Sequence, residues 1–154
     1  MQESIDNVKE ELKRADHLIY VSLKYTRTVD IIRSIIDRLM NAFDHGIEAL
    51  LRYAVEKGIT DEIPSAPGKR INQVKELFQD VEGIEEFMDF YALLRRISRA
   101  DFTRAREFRR HVTMTVELEG EKMDINIDLM HEYYEKTKAF LNLVENMVGE
   151  KKND

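Results

Sequence analysis

The chain of 154 residues contains no cysteine and no tryptophan, and it has only two prolines and six glycines. The absence of cysteine excludes disulfides, thiolate metal ligands and a cysteine nucleophile. No apolar stretch approaches the roughly 18 residues that a membrane-spanning helix requires. Residues 1–6 lack the basic start and apolar run of a signal peptide. Together these absences predict a cytoplasmic protein without a membrane segment.

The charged residues are numerous, at 35% of the chain, and unevenly distributed. The formal net charge of −6 argues against a general nucleic-acid binder. Residues 95–111, here called the basic segment, nevertheless carry a local charge of +5, which leaves −11 for the remainder. Seven arginines produce this charge: Arg95, Arg96, Arg99, Arg104, Arg106, Arg109 and Arg110. A basic island in an acidic molecule is therefore the most informative feature of the sequence.

Apolar residues recur at spacings of three and four along most of the chain, which predicts amphipathic helices. The first helix is expected to begin at Ser4, which would act as its N-cap. Thr28 is predicted to cap a long second helix over 29–54, which ends before Gly58. Residues 58–69 contain both prolines and form the one long connector that the sequence predicts.

Three shorter helical stretches are predicted beyond this connector. The first covers roughly 70–79, and the second covers 84–97 after a break at Gly83. A turn then leads to a short third helix that is expected to hold Phe102, Phe108 and several arginines. The basic segment would in this way be displayed mainly on helices.

The period of the apolar residues changes from near 3.6 to 2 between 113 and 127, which predicts a β-hairpin. With Gly120 and Glu121 as a two-residue turn, Leu118 faces Met123 and the apolar side chains share one face. The other facing pairs would be Val116 with Ile125 and Met114 with Ile127. A lone hairpin is marginal in water, so its apolar face must cover a core or another subunit.

These elements predict a mostly α fold, an up-and-down bundle of about five to six helices. The β-hairpin, at about 113–127, is inserted before the last helix, which Asp128 is expected to cap. One domain over 1–150 accounts for the whole pattern, and residues 151–154 are expected to form a frayed tail.

A histidine, His111, ends the basic segment, and it follows Arg106 after four residues and Arg104 after six. Arginine followed by histidine after four to six residues is the hallmark of the HEPN superfamily (higher eukaryote and prokaryote nucleotide-binding helical domain), and the chain resembles this family here. The second helix, with a glutamate among apolar residues, and the order of the elements are also similar to the family. Two features differ from the family pattern: Glu107 and Ala105 follow the arginines, and a hairpin follows the motif.

The resemblance implies a metal-independent endoribonuclease that needs no cofactor. The histidine would serve as acid and base in the attack of a ribose 2′-hydroxyl, and the arginine would stabilise charge on the phosphate. On an unbroken helix Arg104 lies beside His111, whereas Arg106 is the partner if the helix ends before the histidine. The catalytic residues would be Arg106, His111 and Arg104. Nucleic acid would be bound by Arg96, Arg99, Arg109 and Arg110.

The resemblance also implies a homodimer in which two motifs share one groove. Whether the chain is a toxin with an antitoxin partner is left open by the sequence. Two other readings of the same residues are open. The fold could bind RNA or a nucleotide without cleaving it, or it could be a purely structural homodimer whose arginines form a solvated face or pair with carboxylates over 80–89. A carboxylate-bridged metal centre is disfavoured because no Glu-x-x-His sequence occurs.

Overall fold

The computed structural model describes residues 1–149, which form five helices and one three-stranded antiparallel sheet. The first helix is continuous and comprises α1 (Gln2–His17), a π-helical turn (Leu18–Ser22) and α2 (Leu23–Tyr25). The other elements are α3 (Val29–Glu56), α4 (Pro67–Leu77), α5 (Ile84–Arg99), β1 (Phe102–Ala105), β2 (Thr113–Leu118), β3 (Glu121–Ile125) and α6 (Ile127–Gly149). The predicted mostly α fold is confirmed. The predicted tail over 151–154 lies outside the described residues.

The central element is α3, which contacts α1, α4, α5 and α6. Neighbouring residues such as Ile35 and Ile36 are both buried, because partners cover more than one side of this helix. The ring of Phe43 stacks on that of Phe140 from α6, with ring centroids 4.4 Å apart. Among residues 1–149, no helix is both long and apolar enough to cross a membrane.

The ends of the long helices are partly as predicted. The Thr28 side chain accepts a hydrogen bond from the Ile31 N–H at 3.4 Å, which confirms it as the N-cap of α3. Gly58 follows that helix with a φ of 73°, the left-handed conformation expected after a helix C-terminus. Ser4 is not a cap, because α1 begins at Gln2 and the buried Ser4 hydroxyl donates to Glu48 at 3.4 Å.

The starts of α4 and α6 also differ from the predicted positions. The predicted helix over 70–79 begins earlier, because Pro67 occupies its first turn, where a missing N–H costs nothing. The last helix begins at Ile127, and the Asn126 side chain accepts from the Leu129 N–H at 2.9 Å. Asn126 therefore takes the capping role that was predicted for Asp128.

The prediction of a short helix after α5 is wrong. Residues 102–105 instead form β1, which pairs antiparallel with β2 and places Phe102 opposite Val116 and Arg104 opposite Met114. The pairing supplies what a lone hairpin lacks, since β2 now has a hydrogen-bonded neighbour on each side. The predicted β-hairpin is therefore two strands of a three-stranded sheet.

The hairpin register differs by two residues from the prediction. Leu118 pairs with Glu121, so the turn residues are Glu119 and Gly120, with φ of 53° and 83°. Positive φ at both positions is typical of a type I′ turn, whose twist suits two-residue hairpins. The observed register also places Glu117 opposite Lys122, where the predicted one placed it opposite Asp124. A shift of two preserves the alternation of side chains, so the apolar face predicted for the hairpin is retained, with Met114, Val116 and Ile125 buried.

The close contact between α3 and α6 makes Gly46 a sensitive position. A Cβ atom there would lie 2.5 Å from Cε2 of Phe140, whose ring is held by stacking. We expect Gly46→Ala to lower the free energy of unfolding, because overpacking costs about 1–3 kcal/mol and outweighs a helix-propensity gain of up to about 1 kcal/mol. Urea unfolding measures this change. The matched control is Gly68→Ala in α4, where nothing lies within 4 Å; equal stability of the two variants would contradict the prediction.

Candidate nucleic-acid interface

The motif residues lie on a strand and on the loop that follows it. Arg104 belongs to β1, whereas Arg106 and His111 lie in the connection between β1 and β2. This connection over residues 106–111 is called the basic loop. Since no helix joins Arg104 to His111, the helical geometry that would bring these two side chains together does not exist.

The basic loop is anchored to the turn between α2 and α3. The Phe108 N–H donates to the carbonyl oxygen of Arg27 at 2.6 Å. The Glu107 carboxylate accepts from the N–H of Val29, the first residue of α3, at 3.1 Å. A helix N-terminus has backbone donors without partners and a partial positive charge, so it suits a carboxylate. The loop is therefore attached to the most deeply buried helix of the fold.

Two residues beside Glu107 have left-handed backbone conformations, Arg106 with a φ of 55° and Phe108 with a φ of 66°. Such conformations cost non-glycine residues on the order of 1–3 kcal/mol, and they persist where the surroundings hold them. Here the Glu107 side chain is half-buried against α3, while the side chains of Arg106 and Phe108 are exposed. The backbone conformation thus separates an anchoring carboxylate from two outward-facing neighbours.

Several arginines of the basic segment are engaged by carboxylates. Arg104 pairs with Asp30 at 2.9 Å and with Glu107 at 3.7 Å. It faces Met114 across the sheet and so lies on the core side, beside α3. Arg96 pairs with Glu119 at 3.4 Å. Each of these two predicted site residues is therefore paired with a carboxylate at the surface of the protein.

The other exposed arginines of the basic segment form no ion pair within residues 1–149; they are Arg99, Arg106, Arg109 and Arg110. Three of the four share the basic loop. Arg99 ends α5, so the whole of β1 separates it from the loop, about 13 Å at the usual rise of a strand. The predicted nucleic-acid set is thus divided, and only Arg109 and Arg110 accompany Arg106.

His111 is the last residue of the basic loop and is exposed. Its carbonyl oxygen accepts a hydrogen bond from the Thr113 hydroxyl at 2.8 Å, which fixes the backbone at the start of β2. Its imidazole has no hydrogen-bond partner in the described part of the chain. The ring is therefore accessible to a ligand, but no carboxylate orients it as in a catalytic triad.

A partly buried polar cluster that sequence reasoning missed lies between α3 and α5. The Tyr91 hydroxyl donates to the Asp44 carboxylate, and the Arg95 guanidinium donates to the Tyr91 oxygen at 3.4 Å. Burial raises the pKa of Asp44, against the opposing effects of the Tyr91 hydrogen bond and the Arg95 charge. Burial also raises the pKa of Tyr91, and its bond to Asp44 adds to this. The spacing of four between Tyr91 and Arg95 was the only signal in the sequence.

No group of three or more metal-binding side chains occurs among the described residues. No protein-family model matches this chain, and no curated protein or solved structure is significantly similar to it. The likeness to the HEPN superfamily thus remains a prediction from the motif. The basic loop and its chemistry are therefore the basis on which a function is proposed.

The Asp44 cluster predicts a pH dependence of stability. The pKa of Asp44 in the folded protein is raised from its ordinary value of 3.8. The contribution of Asp44 to the free energy of unfolding is therefore greatest below pH 3.8, where the carboxyl is protonated in both states, and it is lost as the pH rises through the pKa of the folded state. Asp44→Asn keeps an acceptor for Tyr91 and does not titrate. We therefore expect its free energy of unfolding to increase relative to that of the unmodified protein between about pH 4 and pH 7. Urea unfolding across this range measures the difference, and a constant difference would contradict the assignment.

Proposed function

We propose that the chain binds RNA through the basic loop. The observation that carries the proposal is that three exposed arginines on one anchored loop, Arg106, Arg109 and Arg110, have no carboxylate partner among residues 1–149. Guanidinium groups bind phosphates through paired hydrogen bonds, and they keep their charge at every physiological pH. A polyanion with regularly spaced phosphates is the ligand that suits such a cluster.

The anchoring supports binding as strongly as the charge does. A mobile loop would lose conformational freedom on binding, and that loss would reduce the affinity. The contacts of Glu107 with Val29 and of Phe108 with Arg27 restrict the backbone before any ligand arrives. The overall charge of −6 repels a polyanion, so the local cations must dominate the contact. We therefore expect modest affinity with a strong dependence on salt.

The test is the affinity for a single-stranded RNA of about 12 nucleotides, measured by fluorescence anisotropy over a range of salt concentrations. Replacing Arg106, Arg109 and Arg110 together with glutamine should weaken binding and should reduce the slope of log affinity against log salt by about two, since three phosphate contacts are lost.

The matched control removes the same charge from other exposed sites, with Arg14, Arg52 and Lys138 replaced by glutamine. This variant should keep most of the affinity. Equal loss in both variants would mean that RNA responds to net charge alone, and it would overturn the assignment to the basic loop.

A second candidate function is metal-independent cleavage of the bound RNA, and the accessible imidazole of His111 favours it. In this mechanism His111 accepts the proton of a ribose 2′-hydroxyl, whose oxygen bonds to the adjacent phosphorus. The bond from phosphorus to the 5′-oxygen of the next nucleotide breaks, which leaves a 2′,3′-cyclic phosphate, and the departing 5′-oxygen takes the proton from His111. Arg106 stabilises the charge on the phosphate under attack. We assign this role to Arg106 because Arg104 is engaged by Asp30 and Glu107.

Cleavage predicts RNA fragments that form in the presence of EDTA and disappear in His111→Ala. This variant should still bind RNA, because the arginines remain. The control is His17→Ala, an exposed histidine in α1, which should cleave as the unmodified protein does. If the unmodified protein and all variants bind RNA without cleaving it, the chain is a non-catalytic binding module. If neither binding nor cleavage is detected, a structural role is what remains.

The proposal retains the other expectations drawn from the motif. A homodimer would place two basic loops along one groove, and an RNA-cleaving chain of this kind would act in the cytoplasm under the control of an antitoxin partner. Sedimentation of the purified chain would test the dimer.

A further inference from the structure

Two aromatic side chains are unusually exposed. Tyr25 is 78% exposed and Phe108 is 76% exposed, more than any other large hydrophobic side chain in the described residues. A single exposed apolar side chain is ordinary at a protein surface, whereas exposed rings on adjoining segments can form a patch that receives a flat ligand. The backbone of Phe108 is fixed by its hydrogen bond to Arg27, so its exposure follows from the folded loop itself.

The two rings belong to segments that the loop anchor brings together. The Phe108 N–H is bonded to the carbonyl oxygen of Arg27, and Tyr25 precedes Arg27 by two residues, at most about 7 Å of chain. Cations lie on the same segments as both rings. The Lys24 ammonium lies 5.9 Å from the centre of the Tyr25 ring, and the three unpaired arginines share the loop with Phe108.

We infer that Tyr25 and Phe108 form a base-stacking subsite next to the phosphate-binding arginines, an inference that rests on the proposed RNA-binding function. The ligand must then present unpaired bases, because the bases of a duplex are already stacked on each other. Aromatic rings accept any base on their faces, so this subsite recognises single strands with little sequence preference. It extends the interface beyond the motif to α2.

The charge around the rings favours a nucleic acid over a second copy of this chain. Direct packing of one basic loop on another would bring Arg106, Arg109 and Arg110 against the same cations of the second copy, unlike two loops that line a shared groove. A single strand instead supplies both phosphates for these cations and bases for the rings. The experiment must therefore distinguish RNA binding by the two rings from self-association of the protein through the same rings.

The experiment compares an RNA oligonucleotide with an abasic oligonucleotide of the same length, which keeps the phosphates and lacks the bases. The unmodified protein should prefer the base-bearing strand. Phe108→Ala and Tyr25→Ala should each weaken binding to that strand by about 5- to 150-fold and leave binding to the abasic strand unchanged. Phe108→Trp and Tyr25→Phe should retain the preference. The control is Ile59→Ala, which removes an exposed apolar side chain outside the loop anchor.

The outcomes distinguish this inference from the function on which it rests. Equal binding of the two strands by every variant would overturn the stacking subsite while leaving phosphate binding by the arginines intact. Absence of binding to either strand would overturn both. Equal affinity of the unmodified protein for duplex and single-stranded RNA would also refute the subsite. So would a Phe108→Ala variant that no longer self-associates but binds RNA with unchanged affinity. The melting temperature of each variant should match that of the unmodified protein, because both rings are exposed.

Discussion

The hydrogen bond from the Val29 N–H to the Glu107 carboxylate is the contact on which the candidate interface depends. Val29 begins α3, the central helix of the core, so its position is set by packing along the whole bundle. Its N–H has no partner within the helix, and a carboxylate from a distant loop satisfies it. This bond attaches to the core a loop whose side chains, apart from the half-buried Glu107, are all exposed. The left-handed conformations of Arg106 and Phe108 are stable for the same reason.

The carboxylates of the fold decide which arginines are available to a ligand. Arg95 joins the partly buried Tyr91 cluster, Arg96 pairs with Glu119, and Arg104 pairs with Asp30. The proposed interface is therefore smaller than the basic segment in the sequence. What remains is a group of cations on one loop, beside two exposed rings. This arrangement suits a ligand that carries phosphates and flat apolar groups in alternation, which is the chemistry of a single-stranded nucleic acid.

The long helices could be predicted because their determinants are local. The apolar period of α3, its cap at Thr28 and its stop before Gly58 lie within or next to the helix itself. Strand β1 could not be predicted in this way, because its partner β2 begins eight residues after β1 ends. The hairpin register had two solutions that bury the same face, and the turn at Glu119 and Gly120 selected between them. In the candidate site, the arginines and the histidine were evident from the sequence. The engagement of Arg104 was not, because its partner Asp30 lies far away in the sequence.

The most direct test of the account is the RNA affinity of Glu107→Ala, compared with that of Glu62→Ala, which removes an exposed carboxylate from the connector before α4. Each substitution makes the chain more positive by one charge, and electrostatics alone would strengthen the binding of a polyanion in both. Our account predicts the opposite for Glu107→Ala, because the loop loses its attachment to α3 and its arginines lose their fixed positions. Weaker RNA binding by Glu107→Ala than by Glu62→Ala is the expected result. Equal or tighter binding by Glu107→Ala would contradict the claim that anchoring creates the interface.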